Sequence, residues 1–121
     1  MSATLPRLKT YSAESGYVYQ YYFLKSQPLR RVWGRGGLVF FFNVTSDRKN
    51  FFVIEVLVED RAARAWQKLH GRELAETEKY AAAKMRLFRA FNEAASPEDL
   101  HPVTVNERNI EELLEPLRLD E

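Results

Sequence analysis

The sequence contains no cysteine, and this absence excludes several classes of protein. Without cysteine, the chain has no disulfide framework, no thiol nucleophile and no thiolate metal site. Long apolar runs are also absent, because the longest covers only residues 38–42 and is far too short to span a bilayer. Residues 1–10 lack the apolar segment of a secretory signal peptide. We therefore expect a cytoplasmic protein that does not enter a membrane.

Histidine is scarce too, because the sequence has only two and neither has the neighbours that catalysis or metal binding requires. His70 precedes Gly71, a position where a cation complements the dipole of a helix that ends there. His101 precedes Pro102 in a loop and belongs to no metal-ligand spacing. Adjacent acidic residues occupy positions typical of helix starts or solvated faces, not of an acid/base pair. We predict no catalytic residue, no cofactor and no metal site.

The periodicity of the apolar residues changes near Asp60. Residues 51–58 are β-branched and aromatic, which is typical of a strand. After Asp60, apolar residues recur at helical spacing, at Ala62, Ala65, Trp66 and Leu69. A sheet-forming half is followed by a helix-forming half, so the pattern predicts an α+β fold.

The length of 121 residues predicts a single domain over 16–119, preceded by a flexible or extended arm at 1–15.

Four strands are predicted before Asp60, at residues 17–25, 29–33, 38–45 and 51–58. The turn signal Ser26-Gln27-Pro28, the glycine-rich residues 34–37 and the polar residues 46–50 separate them. Because these connections are short, we expect a four-stranded antiparallel meander.

Two helices should follow, packed on one face of this sheet. Asp60 is the expected N-cap of the first helix, which should end at His70 and Gly71. The second helix is predicted from about residue 75 or 77 to about residue 94, where Ser96 and Pro97 stop it. Three aromatic residues of these helices are expected to be buried against the sheet: Trp66, Phe88 and Phe91.

The end of the chain predicts a short extended segment at 102–105 and then a C-terminal amphipathic helix. Asn106 is the expected N-cap, and Pro116 should close or kink the helix. Its apolar positions follow the helical template, at Ile110, Leu113, Leu114 and Leu117.

Residues 98–121 carry 2 Arg and 8 Asp or Glu, a net charge of −6, whereas residues 1–97 have a net charge of +7. We expect this acidic helix to lie against a basic patch; an interaction tail is the alternative.

Both faces of the predicted sheet look apolar, although a solvated face should alternate apolar with polar residues. We expect the helices to cover the face that carries the even-numbered residues of 38–44 and 52–58. The other face would then form a possible interface, with Tyr19, Tyr21, Phe41, Val53 and Leu57. An apolar face of this kind implies a partner, a ligand or a covering segment. A homodimer contact and a cover made by the N-terminal arm or the last helix are the two main alternatives, ahead of a small-molecule pocket.

The tyrosine-rich strand also permits a nucleic-acid interpretation, because rings on a sheet can stack on bases. Arg30, Arg31 and Arg35 are the possible anion or nucleic-acid contacts, beside Trp33. The near-neutral net charge of +1 argues against this alternative.

Lys84 breaks the pattern of the long helix, because it falls near the centre of an apolar arc. A buried lysine must be paired, reach solvent with its charged end or lose its proton. We expect an exposed edge that lets Lys84 reach solvent; a pairing with Glu55, the only charge within the fourth strand, is the alternative.

The sequence thus favours a small non-enzymatic protein that acts by association, either with itself as a homodimer or with another protein. A nucleic-acid-binding module is the first alternative. A small-ligand-binding protein or enzyme that uses the aromatic sheet face is the second.

Overall fold

A five-stranded sheet and three α-helices form the α+β fold, and this class is confirmed. The computed structural model describes residues 7–30 and 36–119. The strands are β1 (Lys9–Ser12), β2 (Val18–Arg30), β3 (Gly36–Thr45), β4 (Phe52–Glu59) and β5 (Val103–Val105). The helices are α1 (Asp60–His70), α2 (Glu76–Glu93) and α3 (Ile110–Leu114), with short 3₁₀ turns at Pro97–Asp99 and Glu115–Leu117.

The strands lie in the sheet in the order in which they occur in the chain. β1 to β4 form an antiparallel meander, as predicted. β5 joins the free side of β4 in parallel, because α1 and α2 carry the chain back before β5 begins. The extended segment predicted at 102–105 is therefore confirmed as part of the sheet.

Two strand boundaries differ from the prediction. The turn expected at Ser26-Gln27-Pro28 is wrong, because β2 continues through these residues to Arg30. Within the described residues, β1 pairs only with residues 18–21, so no described strand lies beside Pro28 on that side of β2, and proline is tolerated at such an edge position. Gly36 and Gly37, expected in the loop, begin β3. Residues 31–35, which include the rest of the predicted second strand, lie outside the described residues.

The N-terminal segment is partly built into the sheet. Residues 9–12 pair with β2 and form its outer neighbour, so the arm expected at 1–15 contains strand β1. Tyr11 fixes this strand to α2: its ring stacks on Phe88 with centroids 4.3 Å apart, and its hydroxyl accepts from Asn92 Nδ2 at 2.8 Å. Residues 1–6 are outside the described part of the chain.

The ends of α1 follow helix chemistry closely, with one correction. Glu59 is the N-cap residue and Asp60 is the first helical residue, so the predicted cap is misplaced by one position. Asp60 still supplies a negative charge to the first turn, where it complements the helix dipole. At the other end, Gly71 has φ 76° and donates its N–H to the carbonyl of Gln67, as predicted for a left-handed terminal glycine.

The C-terminal helix is shorter than its apolar pattern suggested. Its N-cap is Asn109, not Asn106. Asn106 instead forms the preceding turn, because its Oδ1 accepts from the backbone N–H groups of Arg108 at 2.9 Å and Asn109 at 3.1 Å. The α-helix ends after Leu114, and Pro116 lies in a 3₁₀ turn. Proline therefore closes the helix as predicted.

The core lies between the helices and the face of the sheet that carries the even-numbered residues of β3 and β4. Trp66 and Phe91 are fully buried in it, as predicted, whereas Phe88 is only partly buried. Within residues 7–30 and 36–119, no helix combines the length and the apolar character needed to cross a membrane.

Candidate functional site

One face of the sheet is left uncovered by the helices. We call it the open face and define it by nine residues of β2, β3 and β4: Val18, Gln20, Tyr22, Lys25, Phe41, Asn43, Val53, Glu55 and Leu57. Because successive side chains of a strand point to alternate faces of the sheet, these side chains lie on the face opposite to the one that packs in the core. The register orders six of them into two rows across the sheet: Tyr22–Asn43–Val53 and Lys25–Phe41–Glu55.

A β-bulge in β2 brings Lys25 to the open face. The register between β2 and β3 shifts between Phe23, which lies opposite Phe42, and Lys25, which lies opposite Phe41. Phe23 contacts Tyr80 of α2 with ring centroids 5.1 Å apart, so Phe23 lies on the helix side. In a regular strand, residues 23 and 25 would face the same side of the sheet, and Lys25 would point towards the helices like Phe23. The bulge between them turns Lys25 to the opposite side.

Apolar side chains on and beside the open face are exposed. Val18 and Val53 are each 50% exposed, and Phe51, just before β4, is 42% exposed. The ring of Phe51 lies 6.3 Å from that of Tyr22, whose hydroxyl accepts a 2.7 Å hydrogen bond from Asn43 Nδ2. The polar ends of Tyr22 and Asn43 thus satisfy each other and leave the surrounding surface apolar.

The charged residues of this face flank Phe41. Lys25 Nζ lies 5.1 Å from the centroid of the Phe41 ring, a cation–π contact. Glu55 lies opposite Phe41 on β4 and is exposed. Neither Lys25 nor Glu55 forms an ion pair within the part of the chain that the structure describes.

Tyr19 and Tyr21 are not part of this face, and the prediction that they are is wrong. They are 0% and 3% exposed on the helix side of β2. Tyr19 stacks on Phe91 with centroids 4.3 Å apart. Burial raises the pKa of Tyr21 to about 12, with a smaller contribution from Tyr80. The other predicted interface residues, Phe41, Val53 and Leu57, do share the open face, where Tyr22 and Val18 accompany them.

The segments expected as possible covers lie elsewhere. Residues 9–12 extend the sheet at its edge, and α3 packs against α1 and α2. The acidic helix meets basic residues there, as predicted: Glu112 pairs with Arg89 at 3.3 Å and Glu111 with His70 at 2.8 Å. Within the described residues, neither the N-terminal segment nor the last helix covers the open face.

The residues of the nucleic-acid alternative are not brought together by the described structure. Arg30 is exposed at the end of β2, and Arg31 and Arg35 lie outside the described residues. Tyr19 and Tyr21 are buried, so they cannot stack on bases without leaving the core.

His70 has a role that its sequence position did not reveal. Its Nε2–H donates to both carboxylate oxygens of Glu111, at 2.8 and 3.0 Å, and its ring stacks on Trp66 at 4.1 Å. These residues border a cavity of about 440 Å³ that also meets Leu114 and Arg118. The His70–Glu111 pair joins α1 to α3, and the described lining of the cavity carries no hydroxyl, thiol or amine side chain.

Metal-ligating residues do not gather in the described structure. Among residues 7–30 and 36–119, no three histidine, aspartate or glutamate side chains converge on one point. His101 is exposed, and its Nδ1 lies 3.1 Å from the carbonyl of Asp99 in a local turn. Comparisons of the chain with protein-family models, with curated proteins and with solved structures found no match.

Proposed function

We propose that this protein acts by association with a second copy of itself through the open face of its sheet. The observation that carries the proposal is the row Lys25–Phe41–Glu55, in which an aromatic ring lies between two opposite charges. The exposed Val18, Phe51 and Val53 around this row supply the apolar surface that association buries. The lack of cysteine suits a reducing compartment, and we extend the proposal to a cytoplasmic homodimer.

The arrangement of the charges favours one geometry. Consider a two-fold axis that lies between the two sheets, runs parallel to β3 and passes over Phe41. This axis sets Lys25 of each copy opposite Glu55 of the partner subunit. An axis across the strands would set Lys25 against Lys25, which is unfavourable. The first axis also brings the two Phe41 rings together at the centre, where a buried aromatic residue contributes most.

Sheet packing makes this geometry physically accessible. Two sheets that pack face to face lie about 10 Å apart, and their strands are aligned to within about 30°. The side chains of both faces then interdigitate and exclude water from Phe41 and Val53. The proposed contact would thus form a second apolar layer on the side of the sheet opposite the helices.

Light scattering combined with size exclusion tests this proposal. We expect a mass near twice the 14.2 kDa of the chain at micromolar concentration, and a folded monomer for Phe41→Glu. Val53→Glu provides a second variant at a half-exposed position that tolerates substitution. Leu69→Glu is the matched control, because Leu69 is 74% exposed on α1, away from the open face, and this variant should remain a dimer. A monomeric unmodified chain at high concentration would contradict the proposal.

A further inference from the structure

Lys84 is the exception among the cationic residues of α2. The other three pair with carboxylates: Lys79 with Glu76 at 3.8 Å, Arg86 with Glu93 at 3.6 Å, and Arg89 with Glu112 at 3.3 Å. The remaining carboxylate of the helix, Glu78, is bound by Arg72 at 2.8 Å. Lys84 forms no ion pair within residues 7–30 and 36–119. The partner considered from the sequence, Glu55, lies on the open face, on the other side of the sheet from α2, so that pairing is wrong.

Lys84 instead meets a second cationic side chain. Lys84 Nζ lies 5.8 Å from the centroid of the Tyr80 ring, and Lys9 on β1 lines the same cleft as Tyr80, so the two lysines lie near each other. Burial, and next the neighbouring Lys9, lower the pKa of Lys84. Two protonated amines cannot donate hydrogen bonds to each other, and their repulsion opposes folding. An anion bound between them removes this conflict, because it accepts hydrogen bonds from both.

A cleft of about 230 Å³ lies at this point, between β1, β2 and α2. It is lined by Arg7, Lys9, Tyr21, Tyr22, Phe23 and Tyr80. Lys84 lies beside it, with Nζ 5.8 Å from the centroid of the Tyr80 ring. Among the described residues that line this cleft, the charged side chains are cationic, and four of the others carry aromatic rings.

We propose that this cleft binds a small anionic molecule, whose phosphate or carboxylate group lies between Lys9 and Lys84 and whose apolar part lies against Phe23 and Tyr80. Phosphate and carboxylate oxygens accept charge-assisted hydrogen bonds from lysine and arginine, so either group can bridge the two amines. Phe23 is 37% exposed, and it offers an apolar surface beside the charges. Tyr22 is shared by this cleft and the open face, but the proposed contacts are made by Lys9, Lys84, Phe23 and Tyr80, which are not open-face residues, so the inference does not depend on dimerisation.

Calorimetric titration with phenyl phosphate, benzoate and inorganic phosphate tests the site. We expect saturable binding of phenyl phosphate or benzoate with a dissociation constant near or below about 1 mM. Inorganic phosphate should bind more weakly, because it has no ring to lie against Tyr80. The comparison of phenyl phosphate with benzoate identifies the preferred charged group, and phenol, which is uncharged at neutral pH, should not bind.

Two lysine variants locate the binding. Lys84→Met keeps the apolar stem and removes the charge, so it should weaken binding about tenfold or more, as expected for loss of one charged hydrogen bond. Without ligand, this variant should unfold at a temperature equal to or above that of the unmodified protein, because a repulsion has been removed. Lys79→Met, five residues earlier on α2 and outside the cleft lining, should bind normally.

Three results would overturn the proposal. The first is no saturable binding of any of the three anions. The second is equal binding of phenol, which would show that the charge has no part in recognition. The third is equal weakening by Lys79→Met and Lys84→Met, which would indicate unspecific attraction to a basic surface.

Discussion

Lys25 and Glu55 lie on opposite sides of Phe41 in a single row of the open face. Their Cα atoms are about 10 Å apart, because each residue is one strand spacing of about 4.8 Å from Phe41. Phe41 lies between them, and the two side chains form no ion pair with each other in the part of the chain that the structure describes. The same spacing suits an ion pair between two chains that face each other across the open face.

Loss of the Phe91 ring should destabilise the fold strongly. Phe91 is fully buried and stacks on Tyr19, so Phe91→Ala leaves a cavity at the centre of the helix–sheet interface. We expect the free energy of unfolding to fall by about 3–5 kcal/mol. Urea unfolding followed by circular dichroism measures the change.

Phe88→Ala serves as the matched comparison for the core. Phe88 is partly buried and stacks on Tyr11 of the edge strand. Its truncation should lower the free energy of unfolding by less than that of Phe91. Equal losses for the two variants would show that the assignment of the buried face of α2 is wrong.

Glu78 should make stability depend on acid pH. Hydrogen bonds from Arg72, and next from the backbone N–H of Ala75, lower the pKa of Glu78 from 4.5 to about 2. Because the folded-state pKa lies below the unfolded value, this contribution is present above pH 4.5 and is lost as the pH falls to about 2. Glu78→Gln should therefore flatten the decline of stability over this window.

The control for this pH dependence is Glu76→Gln. Glu76 lies in the same helical turn and is 80% exposed, 3.8 Å from Lys79. This variant should keep the slope of the unmodified protein in urea-unfolding midpoints measured at each pH. A Glu78→Gln variant with an unchanged slope would contradict the assignment of the Arg72–Glu78 pair.

Gly37 should not tolerate a side chain. A Cβ at this position would overlap the carbonyl oxygen of Val58 on β4. Gly37→Ala must therefore separate β3 from β4, at a cost of about 1–3 kcal/mol. Thermal unfolding measures the effect, and an unchanged midpoint would show that the strands are farther apart there.

Local patterns predicted those parts of the fold that depend on neighbours in sequence. β4 was predictable from its β-branched and aromatic residues, and the end of α1 from Gly71. β1 was missed because its four residues are mostly polar and are held by Tyr11 packing on the distant Phe88. The pattern at 9–12 alone contains no signal of that contact.

The site was less predictable because it depends on register. The face of Tyr19 and Tyr21 is set by how β2 pairs with β3, and the bulge before Lys25 changes that pairing. Pro28 was interpreted as a turn residue because its place in β2 depends on strand pairing: among the described residues, β1 does not extend beside it. The proximity of Lys84 and Lys9 beside Tyr80 likewise depends on residues far apart in the chain, so no spacing rule reveals it.

Charge-reversed variants of Lys25 and Glu55, compared by their mass in solution, show whether two chains associate through the open face. We expect a dimer for the unmodified chain, monomers for Lys25→Glu and for Glu55→Lys, and a restored dimer for the double variant, in which each lysine again faces a glutamate. All four proteins should have the same circular dichroism spectrum. A dimer that persists in both single variants, or a double variant that stays monomeric, would contradict association through the open face about an axis along β3.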